Sequence, residues 1–267
     1  MLKKMLFASV MAISLQSQAA TSTLPKELTY AGKPIDALCF FIMEANATSI
    51  NLKKCGLSKE KYKIKSINPN LKQKGFIGFD WQDMNPDTYA QGYSYYRYFP
   101  AQKNSYWIYS INNGGGSGDF TYIYLVSRNN KNTLSIKFIA GGDRCNGGLS
   151  NVNADSKGLN YQVNLTAYDV IALNPEVAKV VRAYDDLAAC AACCVAKANY
   201  EVTSTANSIL TSVTLNPIVN ASDLPDQGIK QTCFDNIFMS HLKSGHATLS
   251  PQEVAQFAKR FEKECII

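Results

Sequence analysis

The 267-residue chain contains only two histidines and two tryptophans. Any Ser/His or Cys/His catalytic pair would therefore have to use His241 or His246. These lie five positions apart near one turn, with no carboxylate or cysteine close enough in sequence to complete a metal site. A zinc site would also need a second Cys-x-x-Cys or paired histidines at standard spacing, and neither is present. The glycine-rich run Gly114-Gly115-Gly116-Ser117-Gly118-Asp119 is not followed by Gly-Lys-Ser/Thr and does not fit Gly-x-Ser-x-Gly. It is neither a phosphate loop nor a nucleophile elbow, and its place between two strand-like runs predicts a flexible hairpin loop. No cofactor and no metal is expected. After the first 20 residues there is no apolar run of the roughly 20 residues a bilayer span needs, so no transmembrane segment is expected.

The chain begins with Lys3 and Lys4, an apolar run from Met5 to Leu15, and Ser17-Gln18-Ala19. A basic lead, a short apolar core and a small-x-Ala end describe a secretory signal peptide, residues 1–19, cleaved after about Ala19. Its short Lys-led form fits a bacterial signal and a secreted or periplasmic protein. The first cysteine, Cys39, lies too far downstream to carry a lipoprotein anchor. Removing the leader leaves 25 basic against 21 acidic residues, a net of +4 from the full chain's +6. The lysines at 53–54, 59–65 and 72–74 form no dense block, so nucleic acid is not an expected partner.

All eight cysteines lie beyond the leader: Cys39, Cys55, Cys145, Cys190, Cys193, Cys194, Cys233 and Cys265. An even count in an exported chain predicts up to four disulfides. Cys39 and Cys55 are close enough in sequence to pair, and Cys233 with Cys265 is the expected bridge of a helical hairpin. Adjacent Cys193 and Cys194 point apart and should reach different partners. A redox Cys-x-x-Cys opens a helix whose N-terminus stabilises a thiolate. Cys190-x-x-Cys193 instead falls late in an apolar helical stripe, which favours a scaffold role over thiol-disulfide chemistry. Cys145-Asn146-Gly147-Gly148-Leu149 is similar to a segment of papain-like cysteine proteases that carries a structural cysteine. That family's nucleophile run, Cys-Gly-Ser-Cys-Trp in form, has no counterpart in the chain.

What the sequence has in abundance is tyrosine, 15 residues of it. Tyr93–Phe99, Tyr106–Ile111, Phe120–Val126 and Leu134–Ala140 are aromatic and β-branched runs separated by turn residues, the pattern of consecutive antiparallel hairpins. Residues two apart share a strand face. Tyr93, Tyr95, Arg97 and Phe99 therefore oppose Ser94, Tyr96 and Tyr98. Bulky groups on both faces predict a sheet covered on both sides. Before this meander, Pro34–Ala45 has apolar residues at helical spacing, and residues 75–83 read as the first strand. After it, Asn174, Pro175 and Glu176 signal a helix start, and apolar residues at three- and four-residue spacing extend that helix to Val195. Residues 199–215 suit either a helix or a strand. Thr232–Leu242 reads as a helix, and Ser250-Pro251-Gln252-Glu253 is a capping box opening another, which makes an αα-hairpin. The predicted fold class is α+β: a central antiparallel β-meander with a C-terminal helical part. Residues 20–173 form the β-rich part with a short N-terminal helix. Residues 174–267 are helical and pack on the sheet as one unit with it.

The leading functional expectation is a non-catalytic binding or interaction module acting outside the cytoplasm on a protein or carbohydrate partner. Tyr93, Tyr95, Trp107, Tyr122 and Tyr124 are its candidate binding residues, because Tyr and Trp offer large amphipathic area at low entropic cost. The first alternative is a hydrolase of an envelope or host polymer, using two carboxylates among Asp80, Asp83, Asp87, Asp119 and Asp143. The second is a thiol-disulfide protein using Cys190 and Cys193.

Overall fold

The computed structural model describes residues 24–41, 46–56, 61–85, 87–88, 90–203, 206–216 and 228–266. The signal-peptide reading of residues 1–19 lies outside them. The fold is α+β, with antiparallel sheets, a C-terminal pair of helices and four disulfides.

A two-stranded hairpin of β1 (Thr29–Tyr30) and β2 (Lys33–Pro34) comes first. The main sheet has seven strands: β3 (Ser49–Asn51), β4 (Tyr62–Ser66), β5 (Ile77–Asp83), β6 (Gln91–Pro100), β7 (Ser105–Asn113), β8 (Phe120–Asn130) and β9 (Thr133–Asp143). Their spatial order is β3-β9-β8-β7-β6-β5-β4, so the four expected hairpin strands form the middle and residues 49–66 supply both edges. A five-stranded sheet follows, β10 (Leu149–Ala154), β11 (Leu159–Leu165), β12 (Ala196–Val202), β13 (Ser208–Leu215) and β14 (Thr248–Leu249), in that order.

Both faces of the main sheet are covered. Tyr96, Ile108, Tyr122, Tyr124 and Val126 pack against Leu28, Ile35, Cys39, Phe40 and Ile50 of the N-terminal segment. On the opposite face, Phe99, Trp107 and Ile123 meet Leu149, Val152, Leu159, Tyr161 and Val202 of the second sheet. The rest of that sheet's apolar face, including Leu165, Ala198, Val213 and Leu215, packs against the helices α4 (Ile229–Lys243) and α5 (Pro251–Cys265). Ser250 caps α5 by accepting from the Glu253 N–H while Glu253 accepts from the Ser250 N–H at 2.7 Å, and Cys233–Cys265 ties the hairpin. Before these two helices the described residues hold three short ones, α1 (Pro69–Gln73), α2 (Ala167–Ala172) and α3 (Pro175–Ala178).

Three expectations are corrected. Of the helix expected over Pro34–Ala45, the described residues 34–41 form only a 3₁₀ turn, Ala37–Phe40, because Pro34 ends β2 and Asp36 caps the turn by accepting from the Leu38 N–H at 2.9 Å. The helix expected from Asn174 to Val195 stops at Ala178. Beyond it, Tyr184 takes φ +67°, and Asp186 accepts from the Arg182 N–H at 2.8 Å and pairs with Lys230 at 3.0 Å. Val177, Val181, Leu187, Ala188 and Val195 are buried as the spacing requires, but on an irregular backbone. Its polar groups are satisfied from elsewhere, for example Ala188 N–H by Gln231 Oε1 at 2.8 Å and Val195 N–H by Leu165 O at 2.9 Å. Finally, the part from residue 174 onward carries strands as well as helices, since β12 pairs with β11 across all seven of its residues.

The disulfides are Cys39–Cys55, Cys145–Cys194, Cys190–Cys193 and Cys233–Cys265. Cys193 and Cys194 thus reach different partners. Cys145–Cys194 joins the end of the main sheet to the irregular segment, where the Cys145 N–H also donates to Ala191 O at 3.2 Å.

Candidate functional site

Covering both faces of the main sheet removes the open tyrosine surface. Tyr95 is 0% exposed, Trp107 2%, Tyr122 6% and Tyr124 1%, which leaves only Tyr93 half-buried. Tyr122 and Tyr124 pack edge-on against Phe138 under the N-terminal segment. These four residues hold the core together.

Three of the five candidate carboxylates converge near Tyr93. Tyr93 OH donates to Asp119. Tyr95 OH donates to Asp80 Oδ1 at 3.0 Å and accepts from the Asn68 N–H at 2.7 Å, while Ser66 Oγ donates to Asp80 Oδ2 at 2.6 Å. Asp143 accepts from Arg144 Nε and Nη2 at 3.0 and 2.9 Å, and from the Asp119 N–H at 2.7 Å. Hydrogen bonding from Arg144 holds the Asp143 carboxyl below its ordinary range. A hydrolytic general acid needs the opposite shift. Burial first, then Asp119, pushes the Tyr93 phenol up; burial and the Asp80 contact push Tyr95 up to about 12. Both phenols stay protonated and act as hydrogen-bonding posts. The network also anchors the glycine-rich loop, where Asn113 Nδ2 donates to Gly116 O and Gly118 O at 3.1 and 2.7 Å. Asp83 and Asp87 lie apart, where Asp83 accepts from the Asn85 N–H at 2.9 Å and Thr88 Oγ at 3.1 Å within its own turn.

The carboxyls pushed upward lie elsewhere. Burial raises Asp169, whose carboxylate belongs to the capping box with Thr166 at the start of α2, and Asp235, which accepts from Gln231. His241 sits against Phe257 with ring centroids 5.1 Å apart, and burial lowers its pKa. Among the described residues no group of three His, Cys, Asp or Glu side chains is arranged to hold a metal. Cys190 and Cys193 are joined to each other on an irregular backbone, without a helix N-terminus to favour a thiolate.

The most distinctive open feature is one the tyrosine argument passed over. The helix α1 joins β4 to β5, and the Asn68 N–H at its start donates to Tyr95 OH of β6. Asn68 caps it by accepting from the Asn70 and Leu71 N–H groups. At its other end Gly75, with φ +80°, makes the left-handed turn that lets its N–H reach Lys72 O and the Phe76 N–H reach Leu71 O, both at 3.0 Å. This turn places Phe76 edge-on to Tyr109, centroids 5.7 Å apart. Two grooves open beside Phe76, of about 780 and 560 Å³, and Phe76 and Arg97 line both. The larger runs past Lys72, Tyr98, Gln102 and Tyr106. The smaller runs between α1 and the bulge of β10, where its pairing with β11 shifts register between Ser150 and Asn153, past Lys74, Tyr109 and Asn151.

Arg97 is half-buried, and its guanidinium lies 4.7 Å from the Phe99 ring centroid. It has no salt bridge or hydrogen-bond partner among the described residues. Among the described residues, the lining of the two grooves includes Lys72, Lys74 and Arg97 but no carboxylate, while Glu27 accepts from Tyr106 OH at 3.2 Å. A partly desolvated, unpaired guanidinium between two grooves is positioned to accept an anionic group as a bidentate pair. The sequence signal was present: Arg97 is the one charge in the run Tyr93–Phe99.

The fold and this site define a disulfide-bonded α+β protein with a two-lobed, cation-bearing groove. No family model, curated protein or solved structure matches the chain.

Proposed function

We propose that this is a non-catalytic binding module that works outside the cytoplasm and takes an anionic group of its ligand onto Arg97. The observation that carries the reading is the Arg97 guanidinium, unpaired among the described residues, between two open grooves whose described lining residues include no carboxylate. The leader-like residues 1–19 and the four disulfides support a secreted or periplasmic setting. The test is retention of the mature protein on beads carrying carboxylated, sulfated and phosphorylated polymers. Retention by wild type, weakened by salt and lost in Arg97→Gln, is the expected result. Retention that Arg97→Gln leaves unchanged would sink the reading.

The convergence of Asp80 and Asp119 on the Tyr93–Tyr95 pair favours one second reading, carboxylate-dependent hydrolysis of an envelope or host polymer. Turnover of such a polymer that is abolished by Asp119→Asn and spared by Arg97→Gln would put that reading first. Thiol-disulfide chemistry is tested by intact mass after alkylation. Two or more free thiols among Cys190, Cys193 and Cys194 in the exported protein would replace the scaffold role of these cysteines.

A further inference from the structure

We infer that the ligand is a linear acidic polysaccharide, a chain of uronic-acid sugars laid across both grooves. This rests on the binding reading above and names the ligand class for the same site. The two grooves meet at Phe76 and Arg97, and their volumes fall in the range of ligand sites. Each groove offers three kinds of group. Aromatic faces come from Tyr98 and Tyr106 in the larger groove, and from Tyr109 in the smaller. The apolar C–H face of a pyranose ring packs on such surfaces. Amide and hydroxyl groups come from Gln102 and Ser105 in the larger groove, and from Gln73 and Asn151 in the smaller. These donate to and accept from sugar hydroxyls. Each groove also has one rim lysine, Lys72 or Lys74, and they share Arg97.

The combination discriminates among polyanions. A nucleic acid presents a phosphate at every nucleotide and needs a basic stripe with stacking platforms along it. Here three cations are spread over two grooves. An acidic peptide motif is met by a cluster of arginines, whereas Arg97 is the one arginine among the described residues of either lining. The grooves instead present aromatic rings, amides and hydroxyls beside those three cations. Phe76, fixed at the junction by the Gly75 turn and by Tyr109, would separate two neighbouring sugars, and Arg97 would hold the carboxylate between them.

Calorimetric titration of the mature protein tests this with four probes: hexagalacturonate, a hyaluronan hexamer, the carboxyl-reduced neutral hexagalactose, and hexaglutamate. At least one uronate hexamer should bind. Carboxyl reduction and Arg97→Gln should each weaken that binding tenfold or more, and Arg97→Lys should recover part of the loss. Phe76→Ala should weaken it several-fold while leaving its salt dependence unchanged, which separates ring stacking from charge. Each variant is checked for four disulfides by mass and for an unchanged thermal transition, so that loss of fold cannot pass for loss of binding. Hexaglutamate binding as tightly as the uronates, with the same Arg97 dependence, overturns the sugar class and leaves the binding reading standing. Neutral hexagalactose binding equally well overturns the acidic class. Failure of every acidic probe to bind through Arg97 overturns the uronate class, and the binding reading falls with it only if the sulfated and phosphorylated beads also fail to retain the protein through Arg97.

Discussion

The two sheets are built from the same antiparallel hairpins but solve the problem of their second face in opposite ways. The seven-stranded sheet places Tyr122 and Tyr124 on one face and Ile123 on the other, and all three are buried. In the five-stranded sheet Leu159, Tyr161 and Leu165 are buried, while the intervening Asn160, Gln162 and Asn164 remain accessible. There Asn151 Nδ2 donates to Gln162 Oε1 at 2.7 Å, Gln162 Nε2 to Asn199 Oδ1 at 2.9 Å, and Asn199 Nδ2 to Ser212 Oγ at 3.0 Å, a row across four strands. A face that meets water can spend its side chains on one another, and a face pressed between layers must fill volume. The difference accounts for the aromatic excess: a middle layer needs bulk on both sides, and tyrosine provides it where a hydroxyl can reach the margin.

The contrast can be broken in order of size. The Cys145–Cys194 bridge closes a 49-residue separation between the main sheet and the irregular segment, against a separation of 3 for Cys190–Cys193. On chain entropy, replacing the first pair by alanines should cost about 4 kcal/mol and the second about 1.5. Urea unfolding of the two double variants checks this, and equal losses would refute the division of roles. Next, Ile123→Ala between the sheets should cost about 2–5 kcal/mol, a cavity in a closed layer. Gln162→Ala on the open face should cost under about 1 kcal/mol. If the two losses match, the five-stranded sheet's outer face is covered in solution. Thr166→Ala removes a buried cap, accepting from the Asp169 N–H at 3.3 Å, and should cost about 1 kcal/mol at the sheet-to-helix corner.

The smallest effect is one of pH. Asp143 has a folded pKa below its ordinary 3.8 because Arg144 bonds the ionised form. Its contribution is therefore present above about pH 4 and is lost as pH falls through the folded value. The stability gap between wild type and Asp143→Asn should narrow between pH 6 and pH 2. A gap constant with pH would show that Arg144 does not bind the carboxylate in solution.

The meander was legible because strand faces repeat every two residues whatever lies above them. All four runs from Tyr93 to Ala140 are strands of the main sheet. The α5 capping box and the Cys233–Cys265 bridge were legible because their logic is local. The segment from Val180 to Val195 was not. Apolar spacing reports which residues are buried and says nothing about which carbonyl receives each N–H. Here distant groups such as Gln231 and Leu165 take part of that role. The exposure of Trp107, Tyr122 and Tyr124 was misjudged for a related reason, since the residues covering them are distant in sequence, Leu28, Phe40 and Ile50 on one face and Leu149, Leu159 and Val202 on the other. The groove around Arg97 needs α1, β6, β7 and the β10 bulge together, and only the lone cation in an aromatic strand hinted at it.

The order of the main sheet also sets a timetable. The edge strand β3 pairs with β9, and β4 at the far edge pairs with β5. As the chain is made, Ile50 emerges long before Leu134, the residue it must oppose. The meander can zip up hairpin by hairpin, while its first-made border stays unmatched until the last strand arrives. Distant pairings of this kind slow folding and leave apolar strands exposed meanwhile. Substitutions at Ile50 or Leu52 should therefore show first as lost yield.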